Sequence, residues 1–95
     1  MQRSHDALLL DIKTAAAFID QFTKNMSKDE FLFDSKTQFA VCYQLTIIAE
    51  AVKKLPDNFK SKYPQIPWID IIGMRNYIVH AYHSVDLEAV WNAIT

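Results

Sequence analysis

The fold is decided by residues 35–55, which read SKTQFAVCYQLTIIAEAVKKL. Apolar side chains recur at helical spacing along one stripe, which consists of Val41, Leu45, Ile48, Val52 and Leu55. A second apolar stripe lies beside it and consists of Ala40, Tyr43, Ile47 and Ala51. We therefore predict a helix from Ser35 to Leu55 that is covered on two sides. The chain's own core supplies one cover. A second copy of the chain is the expected other cover, and a central helix surrounded by its own neighbours is the alternative.

Helical spacing continues through the N-terminal part of the chain. The apolar positions that recur at steps of three and four are Leu8, Ile12, Ala15, Ile19 and Phe22. They predict a helix over residues 4–23 with one apolar face. Ser27 and Glu30 have the spacing of a capping box, which predicts another helix start. Asp34 or Ser35 is the expected cap of the long helix that follows.

Prolines divide the C-terminal half of the chain. Pro56 ends the long helix, and we expect a polar linker with a short turn up to Tyr63. Pro67 suits the first turn of a helix, which we predict from Trp68 to His80.

A last short helix is predicted after a cap at Ser84 or Asp86. Its apolar residues are Leu87, Val90, Trp91 and Ile94. Because no segment shows the two-residue period of a strand, we predict an all-α fold. The expected architecture is a small up-and-down helical bundle, dimeric, that forms a single domain over residues 1–95.

Composition narrows the range of functions. The chain has 95 residues and a formal net charge of −1, so bulk positive charge cannot hold nucleic acid. A single glycine excludes a glycine-rich phosphate loop, and a single cysteine, Cys42, excludes a disulfide and multi-cysteine metal sites. No apolar run approaches the roughly 20 residues of a membrane helix, and no signal peptide is evident. We expect a cytoplasmic domain without membrane contact.

The stretch 73–82, GMRNYIVHAY, interrupts an apolar helix with polar residues. Gly73, Asn76 and His80 follow one line on a helical wheel, so Asn76 can reach towards His80. Arg75 lies roughly 140° from His80 on an ideal helix. A glycine inside a helix costs about 1 kcal/mol relative to alanine, so Gly73 requires a reason in packing or in access.

An arginine and a histidine together suit the cleavage of a phosphodiester. The guanidinium of Arg75 can bind a phosphate and stabilise the charge of the transition state. The imidazole of His80 can transfer protons near neutral pH. Residue types alone favour a structural alternative, in which Arg75 pairs with a carboxylate, Asn76 bonds a neighbouring helix and His80 is a hydrogen-bonded histidine at a helix end.

Four segments nevertheless resemble the HEPN-superfamily toxins of the HepT type. They are Ile66–Trp68, Ile71–Asn76, Val79–Tyr82 and Val85–Trp91, and the family's second helix is matched by Gln38–Val41 and Glu50–Ala51. The family motif R-x-x-x-x-H-x-Y, with asparagine after the arginine, is matched by Arg75, Asn76, His80 and Tyr82.

The resemblance implies a metal-independent ribonuclease that needs no cofactor and acts as a toxin of a type VII-like toxin–antitoxin pair. It implies a homodimer in which two motifs meet in one cleft and cleave an RNA substrate. His80 is then the catalytic acid or base, Arg75 the phosphate clamp, and Asn76 the residue that orients His80 or the substrate. It also implies an MntA-type nucleotidyltransferase antitoxin, which adenylylates Tyr82 at the rim of the cleft.

The sequence departs from the family pattern at two places. Ala49 stands where the family usually has glycine, and the chain ends four residues after Trp91, which predicts a domain that is short at its C-terminus. Contacts of the last helix with a partner are then in doubt. The alternative function is a non-catalytic helical subunit that presents substrate to a nucleotidyltransferase, and a plain dimeric scaffold comes third.

Outside the motif, structural roles are the simpler expectation. Trp68 and Trp91 are predicted to anchor the core rather than to stack on bases, and Cys42 is predicted to be a small buried hydrophobe. His5 is expected to be solvated in the first helical turn. Residues 53–62 contain four lysines against one aspartate, which could place an RNA backbone; solvated lysines at a helix end are an equal alternative.

Overall fold

The computed structural model describes residues 4–80 and 86–95, without the side chains of Val79 and His80. These residues form α-helices and no strand, so the prediction of an all-α fold is confirmed. The helices are α1 (His5–Phe22), α2 (Lys28–Leu32), α3 (Ser35–Lys54), α4 (Asp57–Lys60), α5 (Trp68–His80) and α6 (Leu87–Ile94). The bounds agree with the sequence pattern because local signals set most of the helix ends.

Side-chain caps define the starts of four helices. Ser4 accepts a hydrogen bond from the backbone N–H of Ala7 at the start of α1. Ser27 and Glu30 form the predicted capping box of α2. Asp34, rather than Ser35, caps α3, and its carboxylate accepts hydrogen bonds from the hydroxyl and the backbone N–H of Thr37. These two hydrogen bonds lower the pKa of Asp34.

Helix α6 begins at Asp86, whose carboxylate accepts from the N–H groups of Glu88 and Ala89. The other predicted cap, Ser84, lies outside the described residues. The turn between α1 and α2 contains Asn25 at φ 60°, in the left-handed region that asparagine tolerates better than most side chains.

Helix α3 is the central element. Its Val41 and Val52 are almost fully buried, and both α1 and α5 pack along it. Two helices of the chain itself therefore cover α3, while the second copy stays a prediction. Ala51 belongs to this cover, because it is 2% exposed and packs in one cluster with Leu8 and Leu55. Assigning Ala51 to the surface for a second copy was wrong.

The core consists of two clusters at opposite ends of α3. One is built on Ile19, Phe31, Val41 and Val90, and the other on Leu8, Ala51 and Leu55. Trp91 packs against the first cluster, where its ring lies 5.3 Å from that of Phe31. Trp68 packs against the second and donates its indole N–H to the carbonyl groups of Lys60 and Tyr63. Both tryptophans are thus core anchors, as predicted.

The linker after Pro56, Cys42 and His5 each differ in part from the prediction. The linker after Pro56 contains a one-turn helix, α4, where a short turn was expected. Cys42 is only half-buried, and desolvation raises the pKa of its thiol. His5 is exposed as expected, yet its ring also packs edge-on against Phe59 with centroids 4.3 Å apart.

Two phenylalanines that are two residues apart provide a test of this core. Phe31 is 0% exposed and Phe33 is 91% exposed. We expect Phe31→Ala to lower the free energy of unfolding by about 3–5 kcal/mol, because it leaves a cavity in the core. Phe33→Ala should change it by about 0.5 kcal/mol or less. Urea denaturation at equal protein concentration measures both, and similar losses for the two variants would contradict the described core.

Candidate functional site

Helix α5 carries the polar motif on a partly exposed surface. Its inner face packs against the protein through Ile78, which is 8% exposed, and through the half-buried Ile71 and Met74. Its outer face presents Ile69, which is 85% exposed, and the exposed Asn76. Among the motif residues whose side chains are described, Arg75 is therefore partly exposed and Asn76 is exposed.

Arg75 lies on the flank of α5 that faces α3. Its Nε lies 2.8 Å from Oε1 of Glu50, and its Nη1 donates a hydrogen bond to Oδ1 of Asn76 at 3.2 Å. The Nε atom is buried and makes no hydrogen bond to any residue that the structure describes, so the contact with Glu50 is an ion pair without an aligned N–H···O bond. The side chain of Arg75 as a whole is still 32% exposed.

The structural alternative expected Arg75 to pair with a carboxylate, and Arg75 does so with Glu50. It also expected Asn76 to bond a neighbouring helix, but Asn76 contacts Arg75 and lies on the exposed face of α5. A guanidinium has several N–H donors, so a pair at Nε leaves others for a phosphate. The ion pair is consequently compatible with a role for Arg75 in binding.

The backbone of α5 ends at His80. His80 is five positions after Arg75 in the sequence. This spacing corresponds to an axial distance of about 7.5 Å in an α-helix. The side chain of His80 lies outside the described residues, and so does all of Tyr82. The structure therefore brings together Arg75, Asn76 and Glu50, while the expectations for His80 and Tyr82 stay predictions.

Two contacts at this site were not expected from the sequence. Glu50 was noted only as part of the family's second helix, although an isolated acidic residue between two apolar alanines was a usable signal. The second contact is made by Tyr77, whose hydroxyl accepts a 2.7 Å hydrogen bond from the backbone N–H of Asp86. Tyr77 thus ties α5 to the N-cap of α6 across residues 81–85, which contain Tyr82.

Gly73 has no packing role within the described chain. A Cβ added at this position would meet no heavy atom within 4 Å. Packing among the described residues therefore does not explain why a glycine stands here, although it costs helix stability.

Exposed aromatic rings continue the surface from α5 onto α3. Phe39 is 73% exposed and Tyr43 is 66% exposed, and both share one face of α3 with Glu50. The two helices run antiparallel, since Leu55 packs near Trp68 and Leu45 lines a cavity with Met74. Phe39 and Tyr43 therefore lie towards the end of α5 at which His80 is placed.

One apolar cavity lies away from Arg75 and Asn76. It has a volume of about 300 Å³ and is lined by residues of α1, α3, α4 and the first turns of α5, with Val52, Phe59 and Ile71 among them. Neither Arg75 nor Asn76 lines it, and its walls are apolar. This cavity therefore offers no group for acid–base chemistry or for phosphate binding.

The basic segment after α3 is partly used by the fold. The ammonium group of Lys60 lies 3.4 Å from the carbonyl of Val52 and 3.8 Å from Oδ1 of Asp57. It thereby caps the C-terminal end of α3, where a positive charge is favourable. Lys53 and Lys54 are exposed in the last turn of the same helix.

The described residues contain neither a metal cluster nor a membrane helix. Outside residues 1–3, 81–85 and the side chains of Val79 and His80, no three His, Cys, Asp or Glu side chains have the placement of a metal site. Over the same ranges, no helix combines the length and the apolar character needed to span a bilayer.

Comparison with known proteins shows the family of the chain. The sequence model of the family described as "Ribonuclease HepT-like" matches residues 12–95. A protein of Thermococcus cleftensis named "Probable ribonuclease HepT" is 44% identical over 94 residues, which are 99% of this chain and 86% of that protein.

Two further relatives carry ribonuclease names. "Putative RNase MJ0127" of Methanocaldococcus jannaschii is 43% identical over 93% of this chain and 73% of its own. "Putative RNase TTE0752" of Caldanaerobacter subterraneus is 36% identical over 81% of this chain and 69% of its own. No solved structure matches the chain significantly. On the family match and these identities, the chain belongs to the HepT-like ribonuclease family.

Proposed function

We propose that this chain is a metal-independent endoribonuclease in which Arg75 clamps the phosphate and His80 transfers protons. The single observation that carries the proposal is the guanidinium of Arg75, which is held at an exposed surface on the helix that ends at His80. Membership of the HepT-like family supports it, because several relatives are named as ribonucleases.

The proposed chemistry uses the nucleophile that RNA itself contains. One imidazole accepts the proton of the 2′-hydroxyl, and the 2′-oxygen attacks the adjacent phosphorus. The bond from phosphorus to the 5′-oxygen breaks, and that oxygen takes a proton from an imidazolium. Arg75 stabilises the additional negative charge of the transition state. The products are a 2′,3′-cyclic phosphate and a 5′-hydroxyl, and DNA, which lacks the 2′-hydroxyl, is not cleaved.

Two histidines would divide these proton transfers in a homodimer. One His80 can then serve as the base while His80 of the second copy serves as the acid. The exposed Ile69, the open surface at Gly73 and the exposed Tyr43 form the surface that we propose for the second copy. A glycine on a helix allows the backbone of a partner to approach closely. Such an approach would explain why a glycine occupies position 73.

Substitution of the motif tests the catalytic proposal. We expect His80→Ala and Arg75→Ala each to lower the rate of RNA cleavage by about 10²- to 10⁴-fold. The wild-type rate should persist in EDTA. His5→Ala, which removes a histidine outside the motif, is the matched control and should retain full activity.

The cleavage assay uses a labelled single-stranded RNA and the same sequence as DNA. Full activity of the His80→Ala protein, or a requirement for Mg²⁺, would contradict the mechanism. Cleavage that appears only after a nucleotidyltransferase partner is added would favour the alternative function, a non-catalytic subunit that presents substrate.

Light scattering tests the dimer. The wild type should have twice the 11.0 kDa mass of the chain at micromolar concentration. We expect Ile69→Glu to shift the protein to the monomer, because an unpaired charge is costly in an apolar interface. Leu10→Glu is the control, since Leu10 is an exposed apolar residue on α1, at 60% exposure. A monomeric wild type, or equal behaviour of the two variants, would argue against this interface.

We further propose that the protein is the toxin of a type VII-like toxin–antitoxin pair and that a nucleotidyltransferase of the MntA type controls it at Tyr82. The phenolic oxygen would attack the α-phosphorus of ATP and release pyrophosphate, which leaves AMP on the tyrosine. Tyr82 is two residues after His80 in sequence, so the AMP would add bulk and negative charge beside the proposed phosphate site. The attached phosphate would then compete with RNA for Arg75.

Mass spectrometry after incubation with the cognate transferase and ATP tests this control. We expect one or more AMP units on Tyr82 and loss of RNA cleavage. Tyr82→Phe should escape modification, whereas the control Tyr63→Phe should still be modified. An adduct on another residue, or an adenylylated protein that cleaves at the full rate, would refute the proposal.

A further inference from the structure

Glu50 is held in place by the burial of its neighbours on α3. Ala49 and Ala51 are each 2% exposed, so the rotation of α3 about its axis is fixed at this turn. Glu50 is thereby directed to the side of α3 that faces α5. Its carboxylate meets Arg75 across the two helices, with Oε1 2.8 Å from Nε.

The ion pair holds one edge of the guanidinium and leaves the rest accessible. The Nε atom is buried against α3, whereas the whole side chain of Arg75 is 32% exposed. Asn76 contacts Nη1 from the neighbouring position on α5. The guanidinium is therefore contacted from two directions, by Glu50 at its inner edge and by Asn76 at Nη1.

Stability does not explain why a carboxylate stands here. The side chains of Arg75 and Glu50 are 32% and 40% exposed, and pairs of that exposure stabilise a fold by only about 0–1 kcal/mol. The carboxylate also repels RNA, since it places a negative charge beside the residue that would bind phosphate. Its benefit must then lie in where it holds the guanidinium.

We propose that Glu50 is a positioning residue, which fixes the guanidinium of Arg75 in the orientation that the transition state requires. This inference rests on the ribonuclease function proposed above. Glu50 does not touch the substrate; it acts through Arg75. A guanidinium without this restraint samples several rotamers, and misplacement of a binding group by about 1 Å costs up to about 10²-fold in rate.

The proposal predicts opposite effects on binding and on catalysis. Glu50→Gln removes the negative charge and weakens the restraint, so kcat should fall by about 10- to 100-fold. KM for a short single-stranded RNA should stay the same or fall, because a repulsive charge has been removed. Glu50→Asp retains the charge on a shorter arm and should recover part of the lost kcat.

A matched control comes from the ion pair between Lys28 and Glu88, which joins α2 to α6 away from α5. Glu88→Gln makes the same chemical change in a partly exposed pair and should leave kcat unchanged. Thermal unfolding of both variants shows whether any loss of rate follows from instability.

A double variant isolates the path through Arg75. If Glu50 acts only through the guanidinium, adding Glu50→Gln to Arg75→Ala should leave the residual rate unchanged. A measurement without substrate is exchange of the Nε–H proton of Arg75, followed by nitrogen-detected NMR. This exchange should be slow in the wild type and faster in Glu50→Gln.

The outcomes distinguish failure of the positioning role of Glu50 from failure of the ribonuclease function. A large loss in Arg75→Ala with normal kcat in Glu50→Gln overturns the positioning role and leaves the ribonuclease function standing. Equal rates in the wild type, Arg75→Ala and Glu50→Gln overturn both. Additive losses in the double variant, or equal Nε–H exchange in the wild type and Glu50→Gln, also overturn the positioning role.

Discussion

Burial of α3 between α1 and α5 is the constraint on which the rest of the structure depends. Val41 in the first half of α3 and Val52 in its last turn are almost fully buried, so α3 can neither rotate nor slide without exposing apolar surface. Every residue on α3 thereby has a fixed direction. Glu50 contacts Arg75 of α5, and Phe39 and Tyr43, nearer the start of α3 on the same face, are exposed. The position of Arg75 against α3 follows from the same packing, because α5 docks on the helix that carries Glu50.

Local signals explain how much of this fold could be predicted from the sequence. The capping box at Ser27, the cap at Asp86 and the proline before Trp68 act within a few residues, so the helix ends follow from them directly. The pairing of Glu50 with Arg75 joins residues 25 positions apart and depends on how α5 docks. Periodicity states which residues share a face; it does not state how far a neighbouring helix covers that face. For this reason Ala51 was assigned to the surface, although Leu8 of α1 packs against it.

In the described part of the site Arg75 is partly exposed and Asn76 is exposed, and this bears on the kind of substrate that fits it. Neither residue is among those that line the apolar cavity beside Val52 and Phe59. An exposed arginine with aromatic rings nearby suits an extended, flexible chain of phosphates and bases better than a small molecule. A shared cleft between two copies would supply the enclosure that one copy lacks. The open face at Gly73 is consistent with such an approach, because a side chain there would contact nothing within the protomer.

If Arg75 binds phosphate as proposed, its contact with Glu50 favours arginine over lysine at this position. A lysine at position 75 would present its charge at one point, and the Glu50 carboxylate would neutralise that point and leave little for a phosphate. A guanidinium distributes its charge over a planar group, so that the inner edge can face a carboxylate while the remaining N–H groups meet a second anion. In the structure the Nε atom of Arg75 is buried beside Glu50, while the side chain as a whole stays partly exposed. In the proposed mechanism, a carboxylate that would neutralise a lysine can orient an arginine, so Arg75 and Glu50 would act as one unit.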